Sequence, residues 1–477
     1  MNFYHYVLGL LVATTLFTSA SDWEKTQLRP GPTYRHIEPA VAQQGKEVTL
    51  TIYGTRLSDV KNILFYRPGI KFKSCTPLLK AYHKIPYTIQ SFGPGQAIEV
   101  TLEIAADCPT GRHLFRVQTG EKLSELGALY ITPYPCIEEA TWWQERTKPV
   151  NDTIETAQPI QMGSSIYGYL PAGSVVDNDF YEIELEEGQH LTLEVWADAL
   201  GYRQTNHDLA LTVYGPDQKK IAESDDTVLG GQDPWLSIKA KKSGTHYVKT
   251  RQAMDMESHA MHYVLNVTSS VKGTLIYPLG GKAGTNLSAQ LLDTPSGDQA
   301  VEISLPKEVG SFEESIIDYT FPSAQTAVVP TLVQVASFDN VLEDGQDHST
   351  EAKAQVYSGD LPIAFNGKID QEGQRDWFRF KAKKGDRYRV WTYAATLGSP
   401  IDVKLTLKAA EGLNSRVNIS EDDSYFDDRD EGCYGKWASR KNLDPVFIFE
   451  PDQDGEYLLG IEDSQRMFGP DFAYRIE

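Results

Sequence analysis

The residues with the clearest chemistry are paired aspartates that recur at matching places in two halves of the chain. Asp225-Asp226 and Asp422-Asp423 each precede a turn, and they lie 197 positions apart (422 − 225). Carboxylates clustered on loops are needed for a calcium site, because calcium takes about six to eight oxygen ligands. Aspartates in turns also accept hydrogen bonds from nearby backbone NH groups. Both interpretations stay open, and the turn is preferred.

A second acidic cluster lies in a loop that only the later half contains. Between positions 423 and 444 the later half has fourteen more residues than the earlier half has between 226 and 233. Long loops in compact domains are often functional. We therefore predict ligand-binding roles for Asp427, Asp428 and Trp437, and for Trp391, because exposed aromatic faces stack on sugar rings. Packing between modules is the alternative use of such tryptophans.

These residues belong to a sequence pattern that is written twice. Pro39 and Gly45 precede alternating apolar residues, as do Pro278 and Gly284, 239 positions later (278 − 39). A longer pattern around Asp179 recurs 197 positions later around Asp376 (376 − 179). The order is A-B-A′-B′, which is typical of stacked modules.

Within each repeat, the apolar residues alternate with polar ones, which predicts strands. Tyr181, Ile183 and Leu185 are separated by glutamates, and the later copy separates its apolar residues with Arg and Lys. Only the apolar face is common to both copies, so that face is the buried one. We predict an all-β protein of tandem β-sandwiches. Its expected segments are a signal peptide (1–20), a first module (28–135), a linker (136–150), a second module (151–270), a smaller third module (271–338) and a fourth module (339–477).

The net charge and the N-terminal sequence limit the expected classes of partner and the expected cellular compartment. Residues 1–20 lack charge, contain an apolar run and end in Thr-Ser-Ala, which predicts a secretory signal and hence export to the periplasm, cell surface or medium. The formal net charge of −21 disfavours nucleic acid and anionic membranes as partners. No later segment has the length and apolarity of a membrane span. Extracellular polysaccharide or protein is the expected partner.

The four cysteines permit disulfides in an exported chain. A bridge between Cys75 and Cys108 within the first module is the preferred pairing. Cys136 and Cys433 are either reduced or join two modules. No GxSxG motif or local Ser, His and Asp setting indicates a nucleophilic enzyme. The sequence therefore predicts a protein that is not an enzyme.

The second and fourth modules resemble the bacterial pre-peptidase C-terminal domain, a calcium-associated jelly-roll sandwich found on secreted peptidases and surface proteins. The matching residues are Asn151-Asp152-Thr153, Asp179-Phe180-Tyr181, Asp225-Asp226, Asp233-Pro234 and 244–247, with Asp376-Trp377-Phe378, Asp422-Asp423, Asp444-Pro445 and 455–457 in the later copy. The first and third modules resemble the immunoglobulin-like domains of plexins and transcription factors. Together the resemblances cover nearly all of the chain after residue 27.

The pre-peptidase resemblance implies calcium, held partly by an acidic stretch with a Glu shortly before Asn-Asp. Lys148-Pro149-Val150 stands at that place before Asn151. The fourth module has Glu343, Asp344 and Asp347, so the resemblance favours calcium there, with the aspartate pairs as further ligands.

The combined prediction is an exported, non-catalytic binding or adhesion protein that is stabilised by calcium. The alternative is an accessory protein that assists a secreted peptidase or glycan hydrolase.

Overall fold

The computed structural model describes residues 31–78, 96–120, 122–139, 151–170, 177–197, 200, 208–225, 233–253, 261–309, 315–319, 325, 327–422 and 443–477. These residues form β-sheets with a few short 3-10 turns, which confirms the predicted all-β class. None of the helices in these ranges has the length and apolarity required to cross a membrane. The chain divides into two compact units. The first contains residues up to 39, 45–108 and 113–129, and the second contains 40–44, 109–112 and 130–477.

The first unit is built on antiparallel strands with alternating burial. One sheet has the order β1-β3-β6-β5, while β7 pairs with β4 and β8. Within the second unit, β2 pairs in parallel with residues 130–132 of β9. The side chains of Leu50, Ile52, Val100, Phe115 and Val117 are buried. The strands are β1 (Thr33–Glu38), β2 (Val41–Gln43), β3 (Glu47–Thr55), β4 (Val60–Phe65), β5 (Ile70–Leu78), β6 (Gln96–Ile104), β7 (Gly111–Thr119), β8 (Lys122–Leu123) and β9 (Gly127–Thr132).

The second module is a pair of five-stranded sheets around one apolar core. Its sheets have the orders β10-β12-β19-β14-β17 and β11-β13-β18-β15-β16. The strands are β10 (Cys136–Glu138), β11 (Gln158–Pro159), β12 (Ser164–Leu170), β13 (Asn178–Leu185), β14 (His190–Trp196), β15 (Leu209–Tyr214), β16 (Lys220–Ser224), β17 (Trp235–Lys239), β18 (Gly244–Gln252) and β19 (Met261–Thr268).

The third module is smaller, with sheets ordered β20-β22-β23 and β21-β25-β24. Leu287, Ala289 and Leu291 alternate into its core, as the sequence predicted. The strands are β20 (Ile276–Tyr277), β21 (Gly280–Lys282), β22 (Asn286–Leu291), β23 (Gln299–Ser304), β24 (Ile316–Tyr319) and β25 (Thr331–Ala336).

The fourth module repeats the strand order of the second. Its sheets run β26-β28-β35-β30-β33 and β27-β29-β34-β31-β32. Tyr181 and Phe378 occupy corresponding core positions, at 0% and 1% exposure. The strands are β26 (Asn340–Leu342), β27 (Gln355–Val356), β28 (Ala364–Lys368), β29 (Arg375–Ala382), β30 (Tyr388–Tyr393), β31 (Val403–Ala409), β32 (Asn418–Glu421), β33 (Val446–Phe449), β34 (Gly455–Asp463) and β35 (Ala473–Ile476).

The predicted bridge between Cys75 and Cys108 is not formed, and both side chains are thiols. Cys75 lies opposite Val100 in the sheet, whereas Cys108 follows the end of β6 and packs beside Gly69. A strand advances about 3.3 Å per residue, so six residues of β5 place the two far beyond the roughly 7 Å limit between bridged Cα atoms. The register between β5 and β6, on which this separation depends, is not contained in residue spacing alone.

The segment predicted as a linker contributes to the second module. Cys136–Glu138 form β10, which pairs in parallel with β12. A strand of three residues is too short to show alternation, so the sequence did not reveal it.

A buried ion pair joins the second and third modules. Lys272 Nζ lies 2.5 Å from Glu194 Oε1, and these side chains are 8% and 1% exposed. Glu194 also accepts hydrogen bonds from the backbone N–H groups of Val328 (2.9 Å) and Val329 (3.2 Å). The ammonium group lies over the Trp235 ring, 4.9 Å from its centre. The carboxylate on β14 therefore fixes both the connecting segment and a loop of the third module.

Candidate functional site

A buried pair of carboxyl groups lies at one end of the second module. Glu139 follows β10, Asp179 lies on β13, and their side chains are hydrogen-bonded to each other. They are 3% and 1% exposed. The backbone N–H of Tyr169 donates to Glu139 Oε2 at 2.8 Å, and Asn151 also contacts the Glu139 carboxyl. Three separate segments thus converge on one carboxyl group.

Two tyrosines complete the buried cluster. Tyr263 on β19 donates its hydroxyl to Asp179 Oδ2 at 2.6 Å, and Tyr181 donates to the Tyr263 oxygen at 2.5 Å. Both tyrosine side chains are 0% exposed. The cluster is therefore a hydrogen-bonded chain that crosses from one sheet to the other.

Burial and mutual repulsion keep protons on these acids. Burial, followed by the charge of Glu139, raises the pKa of Asp179 well above its usual range. Burial also raises the pKa of Glu139. Nearby, Asp152 and Asp177 form a second hydrogen-bonded pair, and burial with the charges of Asp152 and Glu139 raises the pKa of Asp177 to about 7. Four coupled acids at one place favour either protons or a bound cation.

The fourth module contains the same central pair. Glu343 follows β26 and lies beside Asp376 on β29, and the Tyr474 hydroxyl lies 2.6 Å from Glu343 Oε1 and 3.0 Å from Asp376 Oδ2. The backbone N–H of Lys368 donates to Glu343 Oε2 at 3.3 Å, as that of Tyr169 does to Glu139. Burial, followed by the Asp376 carboxyl, raises the pKa of Glu343 to about 9.

Around this pair the two modules differ in charge. Corresponding residues lie 197 positions apart, and the N–H of Phe180 bonds to the Asn151 carbonyl as that of Trp377 does to the His348 carbonyl. By this correspondence His348, Ser349 and Gln374 replace Asn151, Asp152 and Asp177. Gln374 Nε2 donates to Asp376 Oδ1 and to the Lys368 carbonyl, both at 2.9 Å. In the fourth module the neutral Gln374 amide therefore stands in place of the Asp177 carboxyl group, and its hydrogen bonds require no cation.

The two calcium candidates differ in their donor sets. The second module offers four carboxyl groups and an amide, the oxygen chemistry that calcium prefers, whereas the fourth offers two carboxyl groups. The second module's acids are hydrogen-bonded to one another in two pairs. Within the described ranges, no three His, Cys, Asp or Glu side chains are arranged to hold a metal ion.

The other predicted ligands of the fourth module have partners near them in sequence. Asp344 Oδ1 lies 2.7 Å from His348 Nε2 and accepts the N–H of Gln346 at 2.9 Å. Asp347 pairs with Lys353 and accepts the Ser349 hydroxyl at 2.5 Å. These aspartates are bonded within their own loop, and a metal shared with Glu343 stays a prediction.

The described member of each predicted aspartate pair lies at a different edge. Asp225 and Asp422 are exposed and follow β16 and β32, the outermost strands of corresponding sheets. Their partners in the prediction, and the ligand-binding residues of the long loop, lie outside the described residues: Asp226, Asp423, Asp427, Asp428 and Trp437.

Trp391 is not an open aromatic face. It is half-buried against a cluster that contains Leu275, Leu279 and Leu292 of the third module, and it stacks on Tyr393. This contact between modules matches the alternative use of tryptophan weighed from the sequence.

Glu139 was not among the predicted site residues, and the sequence signal that could have indicated its neighbourhood is a glycine within a strand. Gly168 and Gly367 lie within strands next to the carboxyl groups. A Cβ on Gly168 would overlap the Tyr263 ring, and one on Gly367 would overlap Glu343. A lone glycine in a strand indicates close approach of another group.

Gly168→Ala is accordingly expected to lower the free energy of unfolding by about 1–3 kcal/mol, because the added methyl group has no space beside Tyr263. Urea unfolding of the purified protein measures the change. Gly215→Ala is the matched control, since its Cβ would approach no atom closer than 3.3 Å. Equal losses in the two variants would contradict the close packing of the cluster.

The second module is similar to a known family. Residues 177–252 match the bacterial pre-peptidase C-terminal domain. The match begins at Asp177 and includes Asp179, both members of the acidic cluster. It lies within the second module and supports the predicted resemblance there. No curated protein matched the chain.

Three solved structures are similar to parts of the chain. The pre-peptidase C-terminal domain of a Bacillus anthracis collagenase is 18% identical, covering 25% of this chain and 100% of that one, with a TM-score of 0.20. The periplasmic g-type lysozyme inhibitor PliG of Aeromonas hydrophila is 16% identical, covering 24% and 94%, with a TM-score of 0.18. SGBP-B of the Bacteroides ovatus mixed-linkage glucan utilization locus, in complex with a heptasaccharide, is 11% identical, covering 89% and 71%, with a TM-score of 0.16. At such scores the likenesses carry no conclusion about function.

Proposed function

We propose that this protein is an exported, non-catalytic binding protein that attaches to extracellular polysaccharide or protein. The observation that carries the proposal is the match of residues 177–252 to the pre-peptidase C-terminal domain, a module of secreted and surface proteins. The repeated strand order supports it, because stacked sandwiches present loops on rigid supports and so reduce the ordering cost of binding.

A binding screen tests this function. Labelled full-length protein is applied to arrays of extracellular polysaccharides and proteins, with calcium and with chelator, and turnover of peptide and glycan substrates is followed in parallel. Saturable binding without turnover is expected. Turnover by the purified chain, or retention of uncleaved residues 1–20 in the cytoplasm, would contradict the proposal.

Calcium is proposed to stabilise the second module through the carboxyl groups of Glu139, Asp152, Asp177 and Asp179. The raised pKa of Asp177 supports this, since crowded acids gain from a cation that neutralises their repulsion. No three of these side chains are arranged to hold a metal ion in the described structure, so the carboxyl groups would have to move towards one another and release their protons to the solvent as the ion binds.

We expect calcium to raise the melting temperature, with about 2.7 kcal/mol of added stability at a hundredfold excess over the dissociation constant. Asp177→Asn should reduce this gain, whereas Asp217→Asn removes the same charge at an exposed site and should leave it intact. Differential scanning calorimetry with calcium and with chelator measures both. A melt that calcium does not move would exclude the ion from this role.

A second candidate is an accessory protein for a secreted peptidase or glycan hydrolase. The same family match favours it, because the family is described as a pre-peptidase domain. Under this alternative, adding the protein would raise the rate of a secreted peptidase or hydrolase on an insoluble substrate, while its own binding to polymer would be weak.

A further inference from the structure

The fourth module contains a cavity beside the first residues of β29. Its volume is about 630 Å³. The lining is formed by residues 349–352 before β27, residues 373–375 and 377 at the start of β29, and residues 462–463 and 466–467 at and after the end of β34. This volume is within the range of roughly 300–1,000 Å³ that is typical of small-molecule sites. Neither Glu343 nor Asp376 lines the cavity, which is therefore separate from the buried carboxyl pair.

The two loops that border the cavity are held by side-chain hydrogen bonds to their backbone. The Asp463 side chain is buried, and its Oδ1 accepts the N–H groups of Gln465 at 3.0 Å and Met467 at 2.7 Å. Gln374 Oε1 accepts the N–H of Gln371 at 3.0 Å in the loop before β29. The walls of the cavity are thus ordered before any ligand arrives, which lowers the entropic cost of binding.

The loop after β34 holds apolar side chains in solvent. Met467, which lines the cavity, is 57% exposed, and Phe468 is 46% exposed. Arg466 has a φ of +62°, in the left-handed region that residues with a Cβ rarely adopt. A strained backbone that the surrounding bonds enforce is characteristic of ligand-binding segments. The loop therefore has the features of a binding surface.

The acidic side chains at the cavity are balanced by cations or by backbone donors. Arg375 donates to Glu462 Oε2 through Nε, at 3.0 Å, and through Nη2. Lys404 Nζ lies 3.7 Å from Glu462 Oε1, and Lys408 Nζ lies 2.6 Å from Glu351 Oε1. The third acid of the lining is the buried carboxylate that holds the loop. The lining thus has no large excess of either sign, which disfavours a strongly charged ligand.

Several hydrogen-bonding groups of the lining have capacity left for a ligand. A carboxylate has about four acceptor sites, so Glu351 and Glu462 can each accept hydrogens in addition to those of their cations. The exposed Arg466 guanidinium carries several N–H donors. The Thr350 hydroxyl makes no capping bond to the turn that it precedes. Such donors and acceptors around the apolar Met467 match a sugar ring, which has neighbouring hydroxyl groups and an apolar C–H face.

We propose that this cavity binds a neutral oligosaccharide segment of an extracellular polysaccharide, with hydroxyl groups on Glu351, Glu462 and Arg466 and a C–H face on Met467. The inference rests on the proposed binding function and names its ligand class and site. An extended peptide is recognised mainly through main-chain bonds along an open strand edge. The edge strand here, β27, has only two residues. The side-chain donors and acceptors of the cavity favour the sugar.

The test uses full-length protein in the presence of chelator and four neutral probes, namely cellohexaose, maltohexaose, xylohexaose and mannohexaose. Hexagalacturonate, which has the same length and is acidic, and a mixture of end-blocked hexapeptides are the comparisons. Isothermal titration calorimetry measures the dissociation constants. At least one neutral hexaose is expected to bind more tightly than hexagalacturonate and the peptides. Its affinity should change little with salt, because binding neutralises no net charge.

Ala352→Trp fills the cavity from the turn before β27 and should abolish measurable binding. Ala352→Ser is the control at the same position, since it adds one small atom and should bind like wild type. Arg466→Gln should weaken binding about fivefold or more, because a charged donor is lost. Arg416→Gln is its matched control, since it removes an exposed charge from the same module outside the cavity lining.

Met467→Ala should weaken binding about threefold or more, because apolar contact area with the ring is lost. Val356→Ala, at a position that is 64% exposed and outside the lining, should not. The melting temperatures of all these variants should equal that of wild type, as every changed position is exposed.

Hexaose binding that survives in Ala352→Trp would place the sugar elsewhere and overturn the inference, while the proposed function would stand. Tighter binding of hexagalacturonate would overturn the neutral ligand class. Tighter binding of the hexapeptides, lost in Ala352→Trp, would make the cavity a peptide site. If the protein binds extracellular polymers on arrays but none of the hexaoses, this inference alone fails. If it binds no polymer either, both fail.

Discussion

Replacing Glu194 with alanine is expected to lower the free energy of unfolding by about 3–5 kcal/mol. The change would leave the ammonium group of Lys272 buried without its carboxylate, and would remove the acceptor for the N–H groups of Val328 and Val329. A buried charge and buried donors without partners are among the costliest defects in a folded protein. Chemical unfolding, with hydrogen exchange in β14 and in residues 327–329, measures the loss and locates it.

Two further variants distinguish the effect of breaking the buried ion pair from the effect of removing a glutamate side chain. Glu186→Ala removes an exposed glutamate beyond β13 in the same module and should change stability by less than about 0.5 kcal/mol. The double variant with methionine at 194 and 272 removes both charges and should recover part of the loss. If Glu194→Ala lowers the free energy of unfolding no more than Glu186→Ala does, the ion pair does not hold the two modules together.

The fourth module should lose stability as the pH rises from about 4.5 to about 9. Glu343 keeps its proton in the folded state up to a pKa of about 9, raised by burial and then by Asp376, whereas the unfolded chain releases it near 4.5. The folded state therefore binds more protons across this window, and stability falls with increasing pH. Every pKa unit is worth about 1.4 kcal/mol, so the full window amounts to a loss on the order of 6 kcal/mol.

Several neighbouring groups interact with the Glu343 carboxyl group, and the control variants take them into account. Asp376 on β29 and Tyr474 on β35 share hydrogen bonds with Glu343, while Tyr277 on β20 and Lys368 on β28 interact with its charge. Glu343→Gln copies the protonated acid and should flatten the pH dependence, whereas the exposed Glu411→Gln should not. Hydrogen exchange in β29 and β35 from pH 5 to pH 9 provides a local measurement. A pH dependence that survives in Glu343→Gln would contradict the assignment.

The fold was largely predictable because its signal is local. Period-two alternation marks which side of a strand is buried, and it identified Tyr181, Ile183 and Leu185 as core residues, each 3% exposed or less. The repeat offset of 197 then extended the same assignment to Phe378 and Phe380 in the fourth module. Burial in a strand follows the alternation of apolar and polar residues, and this alternation can be seen between neighbouring residues in the sequence.

The site was predicted only in part because its members are distant in sequence. Glu343 was identified, and it lies five positions before His348. Its counterpart Glu139 lies twelve positions before Asn151, so a search close to Asn-Asp could not find it. The predicted bridge between Cys75 and Cys108 was wrong for a related reason, since the separation of the two residues depends on the register between β5 and β6. Contacts between strands follow from pairing, which single-sequence spacing does not contain.

The joint fixed by Glu194 also determines where the chain resists proteases. Segments between domains are usually the first to be cleaved, because they are exposed and can adopt the extended form that a protease requires. Ser270, Lys272 and Leu275 are instead 1%, 7% and 0% exposed. Limited digestion is consequently expected to spare the segment from Ser270 to Leu275, so the covalent connection between the second and third modules would survive it.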